Sequence, residues 1–192
     1  SKESAGIGGV SHLVNFMGTD TMEALLYARR YYGEHMAGFS IPAAEHSTIT
    51  SWGGPEKEID AFRNMLKQFA SPGALLAVVS DPYDMWHAIC NLWGDKLLDE
   101  VKSSGATVVV RPDSGDPETV PVECVERLMA KVGYTINSKG YKVLPDYYRV
   151  IQGDGITVDT IKIILENLLN KGLSASNLAF GQGGGLLQQV NH

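Results

Sequence analysis

An arginine and an aspartate two residues apart, at the end of a β-branched run, are the residues of this chain best placed to do chemistry. The stretch Thr107–Pro117 reads TVVVRPDSGDP. Val108, Val109 and Val110 predict a short buried strand, and Arg111, Pro112, Asp113, Ser114 and Gly115 follow it directly. A guanidinium and a carboxylate at the mouth of an apolar strand cost free energy to desolvate. Such a pair either closes the strand end as a salt bridge or binds something there. The same layout recurs along the chain: apolar runs end at Asp20, at Glu45-His46, at Asp81 and at Gly153-Asp154, and the last delivers Gly181-Gln182-Gly183-Gly184-Gly185. Converging carboxylates repel and want a cation or sugar hydroxyls between them, and magnesium with a ribose meets both demands. For Asp20 and Asp81 the simpler role is to cap the helix that follows. His46, beside a carboxylate and two hydroxyls, can carry a proton, donate to a phosphate or accept a phosphoryl group. The adjacent glycines allow backbone N–H groups to close on an anion at a helix N-terminus. Neither GxxxxGK[ST] nor GxGxxG is present.

These residues need elements to carry them to one place. SKESAGIGGVSH is polar and glycine-rich and reads as a loop, and Leu13–Phe16 predicts a short strand. Thr19 or Asp20 then N-caps a helix from Met22 to Tyr32, closed by Gly33. Gly38–Ala44 is a further apolar patch, and Pro55 opens a helix whose Ile59, Phe62, Leu66 and Phe69 keep helical spacing. Ala74–Val79 predicts a strand, and Asp81 as N-cap with Pro82 starts a helix to Trp93 that Gly94 ends. Beyond the strand at 107–111 come a helix near 118–131 and an excursion over 132–147 suited to a hairpin. A strand over 149–152, a helix from the Thr157 cap to Asn170, a strand over 177–180 and a helix from Leu186 complete the order. Six β–α units in succession predict a parallel sheet. Site residues at every strand's C-terminal end favour a (β/α) barrel over a doubly wound sheet, whose ligands gather at one switch point. A whole barrel takes about 250 residues, so residues 1–192 read as one incomplete, irregular α/β barrel domain.

Hydrophobic content of 44% and charged content of 20% suit a soluble globular chain, and a net charge of −6 argues against a nucleic-acid partner. No apolar run approaches the length of a membrane span. Cys90 and Cys124 lack CxxC spacing or a nearby ligand histidine and read as buried thiols of a cytoplasmic protein, while Trp52, Trp86 and Trp93 read as core or interface.

The blocks AGIG, NFMGTDT, IPAAEHSTITSWG, VVSDPYD, VVVRPDSGDP, NSKGYKVLP, RVIQGDGI and NLAFGQGGGLLQ together resemble the nicotinamide phosphoribosyltransferase family, of the type II phosphoribosyltransferases, over essentially the whole chain. The resemblance implies an irregular α/β barrel and a reaction in which nicotinamide attacks C1 of phosphoribosyl pyrophosphate, giving nicotinamide mononucleotide and pyrophosphate with Mg²⁺. It implies that His46 is the histidine phosphorylated by ATP, and that Asp20 faces the nicotinamide carboxamide. A carboxylate there accepts from the amide and repels nicotinate. Arg111, Pro112 and Asp113 match residues at the pyrophosphate and ribose, Asp113 joining His46 as catalytic; Gly153 and Asp154 match further nucleotide contacts; Gly183 and Gly184 match the 5′-phosphate cradle; Ser40 and Asp81 line the pocket. The family is homodimeric and its chains are longer. A nicotinamide-stacking aromatic and a phosphate arginine lie upstream of Ser1, a second aromatic comes from the partner subunit, and His192 falls where a phosphate-binding arginine is expected. The resemblance thus implies that this stretch alone is weakly active or inactive. The alternatives are a nicotinate phosphoribosyltransferase and a non-catalytic binding or signalling module.

Overall fold

The computed structural model describes residues 1–187, so His192 lies outside the described residues. The chain divides into two compact units, one made of residues 1–41 with the segment beginning at Gln182, the other of Pro42–Gly181.

In the first unit, α1 (Lys2–Leu13) packs against α2 (Met22–Tyr32). This corrects both the expected N-terminal loop and the expected strand over Leu13–Phe16. The Ser1 side chain accepts from the Ser4 amide and caps the helix. The glycines that suggested a loop serve helix contact instead. A Cβ on Gly6 would fall 2.2 Å from the Tyr27 ring, and one on Gly9 2.8 Å from Ala24 Cβ. Thr21, rather than Thr19 or Asp20, is the N-cap of α2, and Gly33 ends that helix at φ 67°, as expected. The Gly38–Ala44 patch is not a strand; it makes single-residue bridges, Gly18 to Phe39 in this unit and Ala43 to Ala77 in the other.

The second unit begins with the single turns of α3 (His46–Thr50), then α4 (Glu58–Phe69) and β1 (Leu75–Val79). Asp84, not Asp81, caps the next helix, its carboxylate accepting from His87 N–H at 3.0 Å. That helix, α5 (Met85–His87), widens into a π-helical stretch over Ala88–Lys96 that passes through Gly94, and α6 (Leu98–Ser104) follows. Next come β2 (Thr107–Arg111) and α7 (Val120–Val132). The expected hairpin is β3 (Thr135–Ile136) against β4 (Lys142–Val143). Last are β5 (Tyr148–Gln152), α8 (Val158–Asn170) with its Thr157–Thr160 capping box, and β6 (Leu178–Phe180). The helix after the glycine run, α9 (Gly184–Leu187), belongs to the first unit.

Of the six strands expected, four form a sheet among the described residues, all parallel and in the order β1-β2-β5-β6. The order follows the chain without reversal. Leu76, Val78, Val108, Val110, Tyr148 and Val150 are buried in one cluster with Phe62, Trp93, Val125 and Leu128 from the helices. Its polar edge is paired: Trp93 Nε1 donates to Ser80 Oγ at 3.0 Å, and the Tyr148 hydroxyl donates to the Trp93 carbonyl inside the π-helical stretch at 2.5 Å. Among the described residues, no helix is long and apolar enough to cross a membrane.

Candidate functional site

Parallel pairing in chain order puts the C-terminal ends of β1, β2 and β5 on one edge of the sheet, and the residues following each strand share that rim. Main-chain bonds continue past the strands: Ser80 N–H donates to the Arg111 carbonyl at 2.9 Å, and Gly181 N–H to the Gln152 carbonyl at 2.8 Å. Ala43, bridged to β1, brings Glu45 and His46 to the same rim.

Two charge pairs organise it. His46 Nε2 lies 3.1 Å from Asp81 Oδ1, and the aspartate side chain is only 4% exposed against 43% for the imidazole. Asp81 is therefore committed to His46 rather than to capping a helix. An imidazole held at one nitrogen by a buried carboxylate has its orientation fixed and presents its other nitrogen as the reactive one. The second pair centres on Arg111, whose side chain is 16% exposed. Its Nη2 is 3.3 Å from Glu45 Oε1 and its Nε is 3.5 Å from Asp113 Oδ1. Nε is buried without a hydrogen bond and faces the Asp113 carboxylate, and a guanidinium so placed still carries the planar fork that suits an anion.

Asp113 is half-buried, and burial pushes its carboxyl above the usual aspartate range. Arg111 and His46 pull it back down, while Asp81 and Asp154 push it up. These opposing influences identify one electrostatic cluster. Gly153 is what lets the β5 end approach it: a Cβ there would sit 3.3 Å from Asp113 Oδ1. Pro112 is buried between the two charged residues, and Asp154 is exposed at the rim.

In the first unit Ser40 Oγ donates to Asp20 Oδ1 at 2.5 Å, so this expected pair is in contact. Gly183 and Gly184 are exposed at the start of α9. Two residues of the second unit extend the expected set. Gln152, 2% exposed, donates from Nε2 to the Asp154 carbonyl at 2.9 Å and fixes the Gly153-Asp154 turn. Glu58 is buried on α4, and its carboxyl is pushed up to about 7 by burial first, then by Asp84 and Asp81. Helical spacing carried the signal for Glu58, since it lies four residues before Phe62 on the apolar face. Among the described residues, no group of three or more His, Cys, Asp or Glu is arranged to hold a metal ion.

The whole chain, residues 1–192, matches the family model described as the nicotinate phosphoribosyltransferase (NAPRTase) family. It is similar to the nicotinamide phosphoribosyltransferase of Xanthomonas campestris pv. campestris (strain 8004), 58% identical over 98% of this chain and 40% of that protein. It also resembles the proteins of the same name from Acinetobacter baylyi, 35% identical over 93% of this chain and 39% of the relative, and Mycoplasma pneumoniae, 35% identical over 100% and 42%. The chain thus spans about two-fifths of the length of these relatives. With a match from first residue to last, the chain belongs to the nicotinate phosphoribosyltransferase (NAPRTase) family.

Proposed function

We propose that this chain is the phosphoribosyl-binding part of an enzyme that transfers the phosphoribosyl group of phosphoribosyl pyrophosphate to nicotinamide in NAD biosynthesis. The observation that carries the reading is the joint placement of His46–Asp81 and Glu45–Arg111–Asp113 at the ends of consecutive parallel strands. In the reaction the nicotinamide ring nitrogen forms a bond to C1 of the ribose as the bond from C1 to the pyrophosphate oxygen breaks. The sugar passes through a cationic state and the leaving group gathers negative charge. Asp113, beside the ribose, stabilises the cation and accepts from a hydroxyl, while the Arg111 fork neutralises pyrophosphate. An imidazole nitrogen of His46, oriented by Asp81, bonds to the γ-phosphorus of ATP as the bond to ADP breaks. This places that charge beside the pyrophosphate site until water cleaves the N–P bond and releases phosphate. Gly153 and Asp154 contact the nucleotide.

The donor set suits a magnesium ion that arrives on the substrate. Mg²⁺ commonly takes one or two protein carboxylates and completes its shell with water and phosphate oxygens. Asp113 and Asp154 supply that number, and no larger cage exists among the described residues. Bound there, the ion would offset charge on the departing pyrophosphate.

Nicotinamide is preferred to nicotinate as substrate because Asp20 offers the ring substituent a carboxylate held by Ser40, and because the relatives above carry that name. The unreversed strand order supports an irregular (β/α) barrel, incomplete over residues 1–192 taken as one domain, more than a doubly wound sheet. A homodimer and a cytoplasmic setting complete the reading, and the two cysteines are free thiols, as a reducing compartment would keep them. The test is product formation by this chain extended to the full length of its relatives, supplied with nicotinamide or nicotinate. Nicotinamide mononucleotide should predominate, and Asp20→Asn should narrow the preference. Turnover of neither base, or of nicotinate first, would overturn the assignment.

A further inference from the structure

Arg111 is held on two sides by carboxylates of the protein itself, and the two are unequal. Asp113 is 23% exposed at the side chain, whereas Glu45 is 66% exposed. The Glu45 contact is the hydrogen-bonded one but lies in water, where an ion pair is weak, whereas the longer Asp113 contact is shielded. The backbone of Glu45 is engaged elsewhere. Its N–H donates to Thr48 Oγ1 at 3.0 Å, and its carbonyl accepts from the Thr48 hydroxyl at 2.7 Å and from the Thr48 N–H at 3.0 Å. These bonds hold the start of α3 through the backbone of Glu45. The carboxylate can leave Arg111 without undoing the turn that positions His46.

We propose that Glu45 is a displaceable internal anion on Arg111, which a phosphorylated ligand must replace in order to bind. The proposal rests on the reading of Arg111 as the pyrophosphate fork. A mostly buried guanidinium with a buried, unbonded Nε requires counter-charge at all times. Asp113 supplies part of it at all times, and Glu45 completes it when the rim holds no ligand. An arriving pyrophosphate offers two oxygens in the geometry the fork prefers, and its charge repels the carboxylate it replaces. Glu45 then swings toward solvent, where most of its surface already lies. Two consequences follow: the affinity for pyrophosphate is set below what Arg111 alone would give, and product release is aided by a carboxylate waiting to return. Because Glu45 is joined to His46 by one peptide bond, exchange at Arg111 also alters the charge beside the phosphoryl-accepting imidazole.

Inorganic pyrophosphate, titrated calorimetrically, is the probe. The unsubstituted chain is compared with Glu45→Gln, Glu45→Ala, Arg111→Ala and the Glu45→Gln/Arg111→Ala double variant, each shown to be folded by circular dichroism. Both Glu45 variants should bind roughly two- to five-fold more tightly, the range an exposed ion pair allows. Arg111→Ala should bind at least about ten-fold more weakly, and Glu45→Gln should make no difference once Arg111 is gone. Unchanged or weaker binding in both Glu45 variants would overturn the displacement while leaving Arg111 as the anion site. Binding indifferent to Arg111→Ala, or absent from every form, would overturn the functional reading and the displacement with it.

Discussion

Replacing Glu58 by glutamine should make the protein's stability less dependent on pH, and the size of the effect follows from the environment of that side chain. Glu58 opens α4, is 2% exposed, and has a buried Oε1 without a hydrogen-bond partner. Burial, reinforced by the charges of Asp84 and Asp81, moves its carboxyl from 4.5 to about 7. Below about pH 4.5 the group is protonated in folded and unfolded chains alike and costs nothing. Between 4.5 and about 7 the unfolded chain ionises first, so stability falls as pH rises, and above about 7 the loss is complete. That interval, at about 1.4 kcal/mol per pH unit, amounts to about 3 kcal/mol as an upper value. Glu58→Gln keeps the volume and removes the charge. The difference in unfolding free energy between variant and parent should therefore move in the variant's favour by about 1–3 kcal/mol between pH 4 and pH 8. In a chain of this length each kcal/mol corresponds to about 2–4 °C in Tm. Urea unfolding of both proteins at a series of pH values measures the difference, in which titrating groups not coupled to Glu58 cancel. A difference that stays flat from pH 4 to pH 8 would refute the argument.

Tyr148→Phe, which leaves the buried Trp93 carbonyl without its donor, should cost about 1–3 kcal/mol in denaturant unfolding. Cys124 is fully buried and its thiol is pushed well above the ordinary range by burial, so alkylation at pH 8 should modify half-buried Cys90 first and Cys124 only as the chain unfolds. In the chain extended to its relatives' full length, His46→Ala should abolish transfer of label from γ-labelled ATP. Asp81→Asn should lower that transfer about 10–100-fold, the worth of a lost charged hydrogen bond.

Much of the second unit is legible residue by residue. The valine run of β2, the Thr157–Thr160 box and the turn residues between β3 and β4 each have one good local solution, and each is realised. The first unit is not legible in this way. Gly6, Gly8 and Gly9 make α1 locally poor as a helix, and it forms because Gly6 and Gly9 admit Tyr27 and Ala24 of α2 while Gly8 faces the backbone of α9. The DPYD stretch shows how a tertiary contact competes with capping. It offers two aspartates three apart, and a local argument assigns the cap to the first. The structure gives the cap to Asp84 because Asp81 is engaged by His46, 35 positions earlier. The Arg111–Asp113 pair could be read from spacing alone, whereas the contacts of Arg111 with Glu45 and of Asp81 with His46 depend on how the strand ends align. The π-helical stretch has no local signature either, since its Trp93 carbonyl is claimed by Tyr148 from a distant strand.

The most direct test of the central claim is calorimetric titration of nicotinamide mononucleotide into this chain, into Arg111→Ala and into Asp113→Ala. If the rim of strand ends is the phosphoribosyl site, the unsubstituted chain should bind saturably and both folded variants should lose binding. Binding that survives both substitutions, or no binding by a folded unsubstituted chain, would contradict the account.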